Sequence, residues 1–181
     1  MNKETNPQKL LLHICCGPCS LSVIDTLSEE FGAGVPMSGF FFNPNLFPYG
    51  EWIRRSKSAE IACETKRIPL LIRPGYEMAA WKTFSGDAKS RCEMCYRRRF
   101  EETAAYAAAH GYSHFTSTLF VSPYQHHDLM RTAAEESAEK FGVSFLYRDF
   151  RPGFYAGQAQ ARALGLYRQK YCGCIRSLRG E

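Results

Sequence analysis

Short apolar runs that end at turn residues alternate along this chain with amphipathic stretches of helical length, and that alternation restricts its fold more than any other feature. Leu10, Leu11, Leu12 and Ile14 form the first run, which stops at Cys15, Cys16, Gly17 and Pro18 as a buried strand entering a loop does. Leu21, Ile24, Leu27 and Phe31 follow at three- and four-residue spacings, the pattern of a helix face packed on a sheet, with Ser20 placed to cap it. Residues 35–42 read as a second strand, 50–67 as a charged helix and 70–72 as a third strand. A helix after Cys92, a strand over 114–119, a helix over 127–141 and a strand over 143–147 continue the rhythm, and 156–164 reads as a terminal helix. Strands separated by helices pair in parallel, because each right-handed crossover lays its helix over a face. The expected fold is α/β: a Rossmann-like three-layer sandwich on a parallel sheet of about five strands, followed by a C-terminal cysteine-bearing segment. Ligands of such sheets bind beyond the carboxyl ends of the strands, where Cys15, Cys16 and Cys19 fall.

The chain has 181 residues, 45% of them hydrophobic, which suits one domain over 1–181 and leaves too little for two domains and a linker. Residues 1–8 are polar, are expected to be flexible and do not resemble a secretory signal; no later stretch approaches the ~18 apolar residues of a membrane span. A cytoplasmic protein without a membrane partner is expected. The glycine- and lysine-bearing stretch 85–91 is the expected mobile loop. A formal charge of +5, from 23 Lys and Arg against 18 Asp and Glu, permits a nucleic-acid partner without demanding one.

Eight cysteines accompany 14% aromatic residues, so the core needs no staples and metal or redox chemistry explains the thiols better than a secreted disulfide framework. Cys15, Cys16 and Cys19 form C-C-x-x-C at a strand-to-helix turn, where a helix N-terminus favours the metal-binding thiolate. Cys92 and Cys95 form C-x-x-C at the start of another helix, and Cys172 and Cys174 form C-x-C around Gly173. Cys63, among Ile61 and Ala62 on a helix, reads as a small core residue. Four thiolates suit tetrahedral zinc or an iron-sulfur cluster; adjacent Cys15 and Cys16 are awkward around one zinc and favour the cluster. Cys172 and Cys174 are then either a labile, strained redox pair or further ligands.

Five segments carry a family resemblance: L-H-I-C-C-G-P-C-S at 12–20, F-F-N-P-N-L-F-P at 41–48, R-C-E-M-C-Y at 91–96, T-S-T-L-F-V-S-P-Y at 116–124 and G-L-Y-R-Q-K-Y-C-G-C at 165–174. In this order they resemble the signature segments of the cobalamin-independent epoxyqueuosine reductases, often called QueH. The resemblance implies a fold similar to the adenine-nucleotide α-hydrolases, with cysteines replacing the phosphate loop of their ATP-binding relatives. It implies that Cys15, Cys16, Cys92 and Cys95 hold a [4Fe-4S] cluster, that Cys172 and Cys174 form a redox-active pair able to close a disulfide bond, and that Cys19, a position where some members carry Asp, serves a second, mononuclear iron. The implied reaction removes the epoxide oxygen of epoxyqueuosine at the wobble position of tRNA, in queuosine biosynthesis. Its implied partners are the anticodon loop and an electron donor that the sequence does not identify.

That reaction needs protons, for which Asp149, Tyr124 and Tyr171 are the candidates, and a hold on a splayed base, for which Phe47, Tyr49 and Trp52 beside Arg54 and Arg55 offer stacking and charge. The same stripe also fits a helix packed on the sheet, and Arg97, Arg98 and Arg99 also fit a solvated helix face. Two other functions remain open: an iron-sulfur-dependent tRNA sulfur-transfer enzyme, which would consume ATP, and a non-catalytic zinc-bearing module that binds RNA.

Overall fold

The computed structural model describes residues 6–178. Strands β1 (Leu10–His13), β2 (Met37–Phe41), β3 (Leu70–Ile72), β4 (His114–Ser117) and β5 (Ser144–Phe145) form one sheet in the order β3-β2-β1-β4-β5, and every pairing is parallel. Helices α1 (Gly17–Phe31), α2 (Tyr49–Thr65), α3 (Met78–Lys82), α4 (Ala88–Ala109), α5 (His127–Phe141), α6 (Phe154–Ala163) and α7 (Ile175–Leu178) connect and follow the strands. α1 packs against α2 and α6, and α4 against α5, so each face of the sheet is covered as right-handed crossovers require. This covering explains the unbroken apolar run of β1, whose Leu10, Leu11 and Leu12 are all buried between the layers. Each contributes about 1.5–3 kcal/mol by leaving water.

The order of strands reverses at β1: the chain moves to β2 on one side and later to β4 on the other. A crevice opens beyond the carboxyl ends of β1 and β4, and the turn after β1 carries the first cysteine group into it.

Several boundaries differ from the sequence expectation. α1 starts at Gly17, so Ser20 lies inside the helix and its hydroxyl donates back to the Gly17 carbonyl at 2.7 Å instead of capping. α4 starts at Ala88, a turn earlier than expected, because the Asp87 side chain caps it by accepting the Ser90 N–H at 2.7 Å; residues 88–91 are therefore helix and not loop. β5 contracts to Ser144–Phe145, and the short helices α3 and α7 were not visible as patterns because each holds about one turn of apolar residues. Of the flexible segment expected over residues 1–8, residues 1–5 lie outside the described residues; the Gln8 N–H is tied to Ser113 Oγ at 2.9 Å. No helix among the described residues is long and apolar enough to cross a membrane.

Candidate metal centre

The turn between β1 and α1 is shaped by two contacts. Gly17 lies so close to α2 that a Cβ would run into the Ser58 carbonyl and hydroxyl, and only a residue without a side chain brings the start of α1 this near. On the other side Thr118, just past β4, accepts the Cys15 N–H at 3.0 Å and donates its hydroxyl to Cys15 Sγ at 3.3 Å. Cys16 sits in extended backbone at the helix N-cap, with Cys19 in the first turn. The sulfurs of Cys15, Cys16 and Cys19 lie within 4.8 Å of one another, all buried. Gln169 reaches in from the C-terminal segment and donates its amide to Cys16 Sγ at 2.9 Å.

These three thiols share charge unequally. Hydrogen bonds with Cys16 and Cys19, aided by Thr118, hold the Cys15 thiol well below the ordinary range despite its burial. Burial pushes Cys16 up, and the bonds to Cys15 and Cys16 push Cys19 up. One thiolate flanked by two thiols, with no acidic residue in the first turn of α1, is a donor set for a cation.

α4 supplies the second group. Cys92, Cys95 and Arg99 recur at three and four residues and share one helix face, which points at the first group. Burial pushes the Cys95 thiol up to about 11, and Arg99, itself buried, donates to its sulfur at 3.1 Å. Arg99 makes no salt bridge to a carboxylate among the described residues.

The third group is carried on the C-terminal segment, which α2 anchors. Glu51 and Arg55, one turn apart and both buried, pair at 2.7 Å, and Arg55 then donates to the carbonyls of Tyr171 at 2.8 Å and Cys172 at 3.1 Å. The Tyr167 hydroxyl donates to Glu51 at 2.6 Å, and Tyr171 donates to the Phe47 carbonyl. Burial raises the Glu51 carboxyl, but the bonds from Tyr167, Arg55 and Arg54 outweigh it and hold its pKa below the ordinary value. Gly173 adopts φ +105° and donates no Cβ, which would strike Leu46. A C-x-C that turns inward here therefore requires glycine in the middle. Cys174 is buried against Trp81 and Cys95, whereas Cys172 is exposed and its sulfur bonds Ser177 Oγ at 3.0 Å.

The three groups meet. An inner cavity of about 120 Å³ is lined by Cys15, Cys19, Cys92, Cys95, Cys172 and Cys174, with Cys16 behind Cys15 at a sulfur separation of 3.7 Å. An outer cavity of about 570 Å³ adjoins it, sharing Cys19, Ser122, Gln125, Gln169 and Cys172. Cys63 stays in the core beneath the sheet, its thiol pushed up to about 12 by burial alone. All eight cysteines are free thiols.

Asp149 is not brought to this site. Its carboxylate forms a two-pronged pair with Arg151 at 2.6 and 2.8 Å on the surface, and the Arg151 bond lowers it to about 2, which leaves no proton to deliver at neutral pH. The aromatic stripe is largely packing: Trp52 sets its edge on Phe41, Tyr49 stacks on Trp52, Arg54 pairs with Glu51, and Arg55 is buried. The arginine run divides by helical geometry, Arg97 pairing with Glu93 and Glu136, Arg98 with Glu77 and Glu102, and Arg99 turning into the cavity. Glu51 and Gln169 were not singled out from the sequence, and Arg55 and Arg99 were read there as a nucleic-acid contact and as part of a solvated helix face. The signal for Arg99 was its register with Cys92 and Cys95; Gln169 carried none.

The residues fit a thiophilic metal group. Beyond the gathered thiols, Arg99 Nε, Gln169 Oε1 and Trp81 Nε1 are buried at the cavity without a hydrogen-bond partner among the described residues, and a buried cation without a carboxylate calls for an anion. A metal bound by several thiolates is such an anion.

Comparison with known proteins agrees with the geometry. The family model described as epoxyqueuosine reductase QueH matches residues 10–180. A protein of that name from Dehalococcoides mccartyi is 38% identical over 170 residues, covering 93% of this chain and 92% of its own length. One from Thermotoga maritima is 32% identical, covering 93% and 90%. Among solved structures, the U34-tRNA thiolase NcsA from Methanococcus maripaludis with its [4Fe-4S] cluster superimposes with a TM-score of 0.54 at 14% identity. That match covers 96% of this chain and 62% of NcsA, and it shows that the two share a fold, a parallel sheet between layers of helices.

Proposed function

This chain belongs to the epoxyqueuosine reductase QueH family, and from that premise we propose that it deoxygenates epoxyqueuosine at the wobble position of tRNA, in the cytoplasm, at the paired cavities. The observation that carries this is the meeting of three separate cysteine groups at one small cavity that adjoins a larger one. The larger volume falls within the ~300–1,000 Å³ of small-molecule sites and suits a nucleobase flipped out of its loop.

Cys15, Cys16, Cys92 and Cys95 would hold a [4Fe-4S] cluster, and Cys19 a neighbouring mononuclear iron. Such groups, when bound, supply electrons at low potential and an electrophile for oxygen. Cys172, exposed where the cavities join, and Cys174 behind it act as the redox pair. Removal of the epoxide oxygen breaks two C–O bonds, forms the alkene and releases water, consuming two electrons and two protons. Oxidation of the Cys172 and Cys174 thiols to a disulfide yields two electrons and two protons, so the step balances without a separate acid; a low-potential donor then restores the dithiol. Gln169 and Thr118 hold the triad in place, and Arg55 fixes the backbone that presents Cys172.

The family match favours reduction over sulfur transfer and over a zinc module. Anaerobically iron-loaded protein with a low-potential reductant should convert epoxyqueuosine to queuosine in tRNA, read by nucleoside analysis. Absence of conversion with the cluster intact, or conversion that requires ATP, would overturn the proposal.

A further inference from the structure

Two elements supply much of the lining of the outer cavity besides the thiols. Residues 122–126 present Tyr124, and α6 presents Tyr155, Gln158 and Arg162, which fall on one helix face at spacings of three and four. The opposite face of α6 is sunk onto α1. Gly157 and Ala161 are buried there, and a Cβ on Gly157 would come within 2.9 Å of the Pro18 carbonyl, so the helix is fixed and its outward face is presented rigidly. Tyr124 and Tyr155 are each 79% exposed, and each ring stands nearly perpendicular to Phe154, with centroids 5.9 and 5.4 Å apart. Exposed rings braced against a neighbour are prepared to stack.

The cations here stand free of carboxylates. Arg54, Arg97, Arg98, Arg131 and Arg148 each pair with a glutamate. Arg162, Arg168 and Lys170 make no ion pair among the described residues, and no acidic residue lines this cavity. The groove therefore combines two exposed aromatic rings with unpaired cations, and Cys172 lines it as well. That is the chemistry of single-stranded nucleic acid, whose bases stack and whose backbone is anionic. We infer that this groove is the RNA platform of the enzyme: Tyr124 and Tyr155 stack the nucleotides flanking the base delivered to the thiols, and Arg162, Arg168 and Lys170 take their phosphates. The inference rests on the tRNA reductase assignment and names which face of the molecule the anticodon loop covers.

The test is the affinity of iron-loaded protein for an anticodon stem-loop RNA that lacks the epoxide, measured across a salt series, so that binding is read apart from chemistry. Tyr124→Ala and Tyr155→Ala should each weaken binding about tenfold. The triple variant Arg162→Gln, Arg168→Gln, Lys170→Gln should flatten the slope of log affinity against log salt by about 2, at ~0.7 per single-strand phosphate contact. Tyr76→Ala, in the other exposed aromatic patch, should change nothing. Circular dichroism and cluster absorbance check that each variant is folded and loaded. Unchanged affinity and slope in the platform variants, or an equal loss in Tyr76→Ala, would overturn the inference. Platform-dependent binding by a protein that reduces no epoxyqueuosine retires the reductase assignment and leaves the platform standing; reduction with platform-independent binding retires the platform alone.

Discussion

Arg99 donates to Cys95 Sγ at 3.1 Å from one turn further along α4, and this buried guanidinium makes no salt bridge to a carboxylate among the described residues. A buried cation whose counter-charge is a set of thiols is costly while those thiols are protonated and favourable once they are thiolates around a metal. Arg99→Met should therefore act with opposite signs in the two states. The metal-free protein should gain about 1–4 kcal/mol in urea unfolding, since a buried charge without a carboxylate partner is replaced by apolar volume. The metal-loaded protein should lose iron to a chelator faster than wild type. A loss of stability in both states would show that Arg99 is structural and not a counter-charge.

The Glu51 and Arg55 pair makes the placement of the C-terminal thiols dependent on pH. The Glu51 carboxyl is held below its ordinary pKa in the folded chain, so its contribution to stability is complete above the ordinary carboxylate value and is lost as pH falls through the lowered one. Acidification through that lowered value should release the segment. Limited proteolysis of residues 165–174 against pH reads this. Glu51→Gln should show the release at neutral pH and cost about 3–5 kcal/mol, because Arg55 is left buried without its partner.

The cysteines separate cleanly into site and core. Cys63→Ala should leave the metal content unchanged, as Cys63 lies in the main core away from the cavity lining. Cys15→Ser and Cys92→Ser should each lose iron and thermal stability together, because binding and folding are linked. Iron analysis beside thermal unfolding checks both, and loss of iron in Cys63→Ala would mean that the core packing shapes the site.

The parallel sheet and its crevice were legible because each strand ends at a chemical stop: Ile14 gives way to Cys15, Cys16 and Gly17, and Phe42 to Asn43 and Pro44. Cysteine spacing likewise separated Cys63 from the rest. What the sequence hid were partners whose meaning depends on distant chain. Arg99 looks like its neighbours Arg97 and Arg98 until α4 is given a register, and Asp149 looks like a free acid until Arg151 folds back on it. Arg55, read beside Trp52 as a nucleic-acid contact, is a buried brace for residues more than a hundred positions away. Tyr124 was read only as a proton donor, and its grouping with Tyr155, Arg162 and Lys170 escaped notice because these residues share no local pattern and meet only through the docking of α6 on α1.

The division of labour among the thiols gives the last prediction. Cys172 is exposed at the junction of the cavities, Cys174 is buried beside Cys95, and Gly173 between them has a φ of +105° that a side chain rarely adopts. If the pair cycles between dithiol and disulfide, Cys172→Ser and Cys174→Ser should each retain most cluster absorbance yet convert no epoxyqueuosine. Gly173→Ala keeps both sulfurs but pushes the segment off Leu46, so it should retain iron and lose about a hundredfold in turnover, the cost of a displacement near 1 Å. Single-turnover reaction without an external donor reads the pair directly. Alkylation followed by mass analysis of the C-terminal peptide should show two free thiols before reaction and none, in proportion to queuosine formed, afterwards. Thiols that stay free while product accumulates would exclude the redox role, and loss of iron in either serine variant would make Cys172 and Cys174 ligands instead.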